Sequence, residues 1–246
     1  MKKAVLLVIL LFKVCAGFAQ HYNETYGKPL VVLIITDPWL MVIGSDVPAF
    51  ALYDNGQIIY KKIEDGHLKY YECKTDREKP KLILSKLNIT DSIYSLPQQI
   101  SASTFTDQPN NQLILNFDSV KMINVYGNLR NTKSRANTPK SFLSVFDAIA
   151  NFKSNDVKEW LPDSVEVMLS GYSYAPEKSL QWPKDWPDLK DKTTVKRSDD
   201  LYSVYLDKKY FEDFKKLLAS MKEKQAVEVN GQKFSVQYRL PFPNIR

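Results

Sequence analysis

Between Val47 and Lys62 the chain reads VPAFALYDNGQIIYKK, two β-rich runs on either side of Asp54-Asn55-Gly56. Asn and Gly tolerate the positive φ that tight turns demand. Ala49–Tyr53 and Gln57–Lys62 are therefore expected to fold back as a hairpin, with Phe50 and Leu52 alternating on one strand and Ile58 and Tyr60 on the other. The same device returns near the C-terminus, where Asn230-Gly231 separates Ala226–Val229 from Lys233–Tyr238. Leu30–Thr36, LVVLIIT, is an unbroken apolar run. Its length and β-branched content mark a strand buried on both faces rather than a helix. Asp37-Pro38 ends it, and Leu40–Ile43 is a candidate continuation before Gly44. The residues ahead of it, Gln20–Lys28, are polar and expected to be loosely held.

Lys69–Lys74, Gln112–Phe117, Lys121–Tyr126, Ser164–Leu169 and Tyr202–Leu206 read as further strands. Helical spacing occurs in two long stretches. Pro139–Phe152 places Phe142, Val145, Phe146, Ile149 and Phe152 on one face, with Thr138 as N-cap and Pro139 at the first helical position. Lys208–Lys224 places Phe211, Phe214, Leu217, Leu218 and Met221 on one face, capped by Asp207. A shorter helix carries Leu82, Ile83 and Leu87. It starts either from a Thr75–Glu78 capping box or at Pro80. The aromatic stripes are core faces; nothing in them points to a cofactor.

Strands outnumber helices and hairpins dominate, which predicts an α+β fold of antiparallel sheets built from hairpins, with about three helices on one face. The order strand, helix, hairpin is echoed in two halves, about 29–130 and 138–246, as subdomains of one globular region spanning 20–246. Sequence identity between the halves is negligible, so the echo concerns layout alone.

A hydrophobic content of 44% with 25% charged residues argues against disorder and for a packed core. The N-terminus has a different logic. Met1-Lys2-Lys3 is a basic start, Ala4–Phe12 is apolar, and Gly17-Phe18-Ala19 offers small residues where a signal peptidase cuts. The apolar run stops at Lys13, short of the roughly 20 residues a membrane span needs. Residues 1–19 are expected to be a cleaved signal peptide, Gln20 the first mature residue, and the mature chain secreted or periplasmic with no membrane span. Lys13-Val14 before Cys15 does not fit lipidation. The Lys-Lys start and short apolar core look like a bacterial export signal.

Cleavage removes three lysines from 34 basic residues, against 28 acidic, and leaves a net charge of +3. That is too little to argue for nucleic acid or an anionic membrane as a partner. It also leaves Cys73 as the lone cysteine, in the strand-like Tyr70-Tyr71-Glu72-Cys73, where a small buried residue is the simplest reading.

The usual chemistries find little purchase. There are 2 histidines, His21 and His67, with no H-x-x-x-H or C-x-x-C pair, so no metal or cofactor is expected. No G-x-S-x-G elbow or Gly-rich phosphate loop occurs, and no catalytic residue is assigned. Asp185, Asp188 and Asp191 lie three apart and Asp199-Asp200 are adjacent, but spacing within a loop fixes no distance between carboxylates.

Gly171–Asp200 has no clear period, and it exceeds the length of about 12–15 residues beyond which loops are usually functional or disordered. Its aromatics favour order. Tyr172, Tyr174, Trp182 and Trp186 are the candidate ligand-binding residues. Pro183 and Pro187 follow the two tryptophans and stiffen the path, so two rigid indoles are available to a sugar ring or a partner protein's apolar side chain. The competing reading turns both indoles inward as a cap on the core.

Asp91-Ser92-Ile93, Asp118-Ser119-Val120 and Asp163-Ser164-Val165 share one form, Asp-Ser followed by a β-branched apolar residue. They resemble the acceptor triplet of a general O-glycosylation system acting on exported bacterial proteins. Asn23-Glu24-Thr25 and Asn88-Ile89-Thr90 fit the N-glycosylation sequon.

The functional expectation is an exported non-catalytic binding, inhibitory or interaction module for an unidentified protein or carbohydrate. One alternative is a secreted hydrolase whose site is assembled from distant acids under the 171–200 loop. Another is a structural subunit of an envelope assembly, which exposed sheet edges would suggest.

Overall fold

A computed structural model of the chain describes residues 22–36, 38, 47–65, 67–75 and 80–245. The expected signal peptide, the candidate strand Leu40–Ile43 and all of the Thr75–Glu78 box beyond Thr75 lie outside the described residues. What is described is a mixed α+β protein with two open sheets, rich in strand and poor in helix.

The first sheet is built from β1 (Pro29–Thr36), β2 (Pro48–Tyr53), β3 (Gln57–Glu64), β4 (His67–Lys74), β5 (Gln99–Ser101), β6 (Asn110–Asn116), β7 (Val120–Tyr126) and β8 (Lys158–Glu159). Their order is β5-β7-β6-β1-β2-β3-β4-β8. All pairs are antiparallel except β5 with β7. The continuous apolar run of β1 explains its central place: Val31 and Leu33 enter one core and Val32 the other. β2 and β3 bring Phe50 opposite Tyr60 and Leu52 opposite Ile58. The turn between them needs Gly56 (φ +82°), because a Cβ there would lie 2.6 Å from the Thr75 carbonyl oxygen. On this face the sheet packs against α1 (Pro80–Lys86), α2 (Asp91–Tyr94) and α4 (Lys140–Ala150) through Ile83, Leu87, Ile93, Phe142, Val145 and Ile149. The short α3 (Thr132–Ala136) precedes α4.

The second sheet holds β9 (Ser164–Gly171), β10 (Leu180–Gln181), β11 (Val195–Ser198), β12 (Leu201–Asp207), β13 (Val227–Val229) and β14 (Gln232–Arg239). Their order is β10-β13-β14-β9-β12-β11, antiparallel except for β10 with β13. Alternation along β9 sends Val165, Val167 and Leu169 to one face, where they meet Val204, Leu206 and Phe234. The helix α5 (Phe211–Ser220) covers them with Phe211 and Phe214. The same core takes in Ala51, Tyr53 and Ile59 from the back of the first sheet, so that sheet has helices on one side and the second core on the other.

Several local expectations differ from the structure. Thr138 does not cap α4; its hydroxyl donates to the Ser134 carbonyl at 2.8 Å and closes the turn after α3. α5 is shorter at both ends than the apolar stripe suggests. Lys208–Tyr210 forms a 3-10 turn, with Asp207 accepting the Lys209 N–H at 2.9 Å, and the helix stops at Ser220. Met221 is extended (ψ 137°) and Lys224 has φ +61°, a reversal that a continuous helix cannot contain. The 171–200 stretch contains β10 and β11 rather than no regular structure. Residues 22–28 are held rather than loose: the Asn23 N–H donates to Asn244 Oδ1 at 2.8 Å and the Tyr26 hydroxyl accepts from Trp160 Nε1 at 2.9 Å. α4, which belongs to the second of the two expected halves by sequence, packs its stripe into the first core.

Candidate functional site

The 171–200 segment is fastened to the second sheet at both ends and in the middle. Gly171 N–H donates to the Asp200 carbonyl at 2.7 Å and Tyr172 N–H to that of Lys233 at 2.8 Å. Leu180 and Trp182 donate to the carbonyls of Ala226 and Glu228, which is what aligns β10 beside β13. Farther on, Asp188 is tied to the Asn230-Gly231 turn. The Asn230 amide donates to Asp188 Oδ2 at 2.7 Å, and Leu189 N–H donates back to Asn230 Oδ1 at 3.0 Å. Asn230 and Gly231 both have positive φ, 49° and 80°, so the turn residues named for their backbone tolerance also supply the loop's anchor.

The four candidate aromatics form two separate pairs. Trp182 and Trp186 meet edge to face with centroids 5.0 Å apart, and each retains only 7% of its exposure. Both rings also contact Phe214 of α5, and Trp182 Nε1 donates to the Pro187 carbonyl at 2.9 Å. The indoles thus turn inward and cap the second core, with the Trp182 donor satisfied. Tyr172 and Tyr174 also meet edge to face, at 4.9 Å, but Tyr174 is 81% exposed. No ring contact between described residues joins the two pairs.

The loop does bring together groups that sequence spacing left apart. A shallow depression of about 480 Å³ lies where the 185–191 bend meets the start of α5. Trp186 and Tyr210, centroids 6.0 Å apart, are the aromatic residues of its lining. Asp185, Asp188, Asp191 and Asp207 line its rim with Lys190 and Lys209. The carboxylates have local duties. Asp188 Oδ1 accepts from Lys190 N–H at 2.7 Å, Asp191 Oδ1 accepts from the N–H and hydroxyl of Thr193, and Asp207 caps the 3-10 turn. The Asn230 amide and the Lys190 N–H hold the Asp188 carboxyl below the usual carboxylate range. A carboxylate stabilised in its charged form is a poor general acid and a good acceptor for hydroxyl groups. The Tyr210 ring carries the Lys209 ammonium at 4.7 Å from its centroid. Tyr210, Asp207 and Lys209 belong to this depression without having been singled out by sequence, because they sit at a helix start that reads as ordinary capping.

A second polar constellation lies on the opposite face of the second sheet. Glu166 stands between Val165 and Val167 in β9 and is almost completely buried. Its Oε1 accepts from the Ser203 hydroxyl at 2.7 Å and from Arg197 Nη2 at 3.1 Å, and its Oε2 accepts from Arg239 Nε at 2.6 Å. Arg197 Nε in turn donates to Ser203 Oγ at 3.0 Å. The serine is fully buried, its proton pointing at the glutamate and its oxygen occupied by an arginine. This ion cluster, which Arg197 extends to the Tyr205 hydroxyl at 3.3 Å, fastens β9, β11, β12 and β14. The signal for it in the sequence is one acid inside the alternating apolar run SVEVMLSG.

Among the described residues no group of three or more His, Cys, Asp or Glu side chains is arranged to hold a metal, and no helix is long and apolar enough to cross a membrane. Comparison with protein-family models, curated proteins and solved structures finds no match to this chain.

Proposed function

We propose that the protein is an exported, non-catalytic binding module and that its ligand surface is the depression at Trp186 and Tyr210. The ligand class this chemistry suits is a carbohydrate. Sugars present an apolar C–H face to an aromatic ring and hydroxyls to carboxylate acceptors, and the depression offers both within one shallow, solvent-open hollow. The observation that supports the non-catalytic reading is that Asp188, Asp191 and Asp207 already accept hydrogen bonds from the protein, with Asp188 held in its charged form by the Asn230 amide and the Lys190 N–H and so unsuited to the acid role of a glycosidase.

The convergence of four aspartates keeps a hydrolase as the second reading, with Asp185 and Asp207 as its carboxylates. An envelope-assembly subunit has less support. The terminal strands of the two sheets, β5, β8, β10 and β11, are each only 2–4 residues long, and β11 carries Lys196 and Arg197 on its edge. Short charged edges discourage strand addition.

Titration of the folded chain with soluble oligosaccharides, followed calorimetrically, tests the proposal. Tyr210→Ala is expected to weaken binding at least tenfold while the substrate's reducing ends remain constant over days. Binding unchanged by Tyr210→Ala would place the ligand elsewhere. Release of reducing ends that Asp185→Asn or Asp207→Asn abolishes would establish the hydrolase instead.

A further inference from the structure

The three Asp-Ser triplets are equal in sequence and unequal in the fold. In Asp91-Ser92-Ile93 the triplet lies in the helix α2. Ser92 shares a hydrogen bond with the Thr90 hydroxyl at 2.9 Å, and Ile93 is wholly buried in the first core. In Asp163-Ser164-Val165 the aspartate is ion-paired with Lys208 at 2.6 Å, Ser164 is half-buried opposite Asp207 in the β9–β12 ladder, and Val165 is wholly buried. An enzyme that reads aspartate, serine and apolar side chain together cannot reach the third residue of either triplet in the folded protein.

Asp118-Ser119-Val120 differs on every point. It forms the tip of the β6–β7 hairpin, where Asn116 pairs with Val120 and Asp118 and Ser119 face solvent beyond the partly buried Phe117. All three residues are exposed. Val120 keeps 63% of its exposure, an apolar side chain at a hairpin tip with no core to fill. Among the described residues neither Asp118 nor Ser119 makes a side-chain hydrogen bond or ion pair that an enzyme would have to break to engage them. The N-glycosylation sequons are less open, since the Asn88 amide donates to the Ser144 carbonyl at 3.3 Å and Asn23 Oδ1 accepts from Thr25 N–H at 3.0 Å.

We propose that Ser119 is an O-glycosylation site, and the single one of the three triplets modified after folding. The proposal rests on export of the chain and is independent of the ligand depression. The reaction takes a glycosyl donor activated as a diphosphate. Ser119 Oγ attacks the anomeric carbon, the bond from that carbon to the diphosphate oxygen breaks, and the diphosphate leaves with the bonding pair. The hydroxyl proton passes to a base on the transferase, so no oxidant or reductant is involved. Asp118 supplies a fixed charge and Val120 an apolar contact for the transferase to read on either side of the acceptor.

The test is intact mass and glycopeptide sequencing of the full chain recovered from the exported fraction of its own host. Three variants accompany it, Ser119→Ala, Ser92→Ala and Ser164→Ala. The expected result is a mass excess of whole sugar residues on the peptide containing Ser119, lost in Ser119→Ala and kept in the other two. Trypsin leaves Ser92 and Ser119 on one peptide, 87–121, so fragmentation or a second protease must separate them. An exported chain at its unmodified mass, or sugar on Ser92 or Ser164, overturns the proposal. Recovery only from the cytoplasm with residues 1–19 attached overturns the export reading on which it rests, and leaves the depression's ligand to be judged by its own titration.

Discussion

Asn23 and Asn244 lock the two ends of the described chain together. The Asn23 N–H donates to Asn244 Oδ1 at 2.8 Å, while the Asn244 amide donates to the carbonyls of Asn23 at 2.9 Å and Gly27 at 2.7 Å. The neighbouring Pro243 carbonyl accepts the Tyr53 hydroxyl at 2.9 Å, and Phe242 packs on Trp160 and Tyr70. The C-terminal segment leaves the second sheet after β14 and is fixed against the back of the first. It is the clasp between the two sheets.

Asn244 is at φ +58°, a conformation in which Asn and Gly are at ease and Ala is not. Asn244→Gly therefore removes the side-chain bonds with little backbone strain, and Asn244→Ala removes them and adds the strain. We expect Asn244→Gly to cost about 1–3 kcal/mol in urea unfolding and Asn244→Ala about 1 kcal/mol more. Equal stability of Asn244→Gly and the parent would mean the clasp contributes nothing.

Trp182→Ala and Trp186→Ala are each expected to lose about 3–5 kcal/mol, because both indoles are buried against Phe214. Losses under about 1 kcal/mol in both, read by chemical denaturation, would show that the rings are not part of the core.

The two Asn-Gly hairpins and the β1 run were legible because their signals are local: a turn that needs positive φ, and apolar residues at the right period. Long-range pairing was not. Nothing in the run of residues says that Lys158–Glu159 will pair with Tyr71 and Glu72 across the first sheet, or that α4 will sit on the sheet that precedes it. The site divides the same way. The aromatic content of 171–200 forecast an ordered loop, but indoles folded inward and indoles on display have the same sequence. Which aspartates share a rim depended on Asn230, some forty residues downstream in the chain, pinning Asp188. Glu166 was hidden for a related reason: its partners Arg197, Ser203 and Arg239 come from three other strands.

Removing Glu166 leaves two arginines facing each other across a face of the second sheet, Arg239 only 20% exposed. Glu166→Ala is expected to destabilise by about 3–5 kcal/mol, the range for an ion cluster that loses one partner. Glu166→Gln keeps an oxygen for Ser203 and should cost less. If Glu166→Ala unfolds at the parent's urea midpoint, the cluster is energetically idle.

The last expectation concerns alkali. Burial raises the phenol of Tyr53 far above its ordinary value, with Tyr26 nearby adding to the effect, and pushes that of Tyr70 up to about 12, with a contribution from Tyr238. Both groups are neutral when protonated, and in the unfolded chain both ionise near pH 10. Below pH 10 neither state loses a proton, so the stabilisation is fully present there. Above it the unfolded chain releases protons that the folded chain keeps, and stability falls as pH rises toward the folded values. Each such tyrosine contributes a slope of about 1.4 kcal/mol per pH unit once unfolded phenols are ionised and folded ones are not. Unfolding free energies measured at pH 8, 10, 11 and 12 should therefore drop steeply only beyond 10. Tyr53→Phe separates the two roles of that residue. It removes the hydrogen bond to the Pro243 carbonyl and should cost about 1 kcal/mol at pH 8, yet its decline above pH 10 should be shallower than the parent's. A parallel decline in parent and variant would mean that Tyr53 ionises as readily in the folded protein as in the unfolded one, and the packing of the C-terminal segment over it would have to be abandoned.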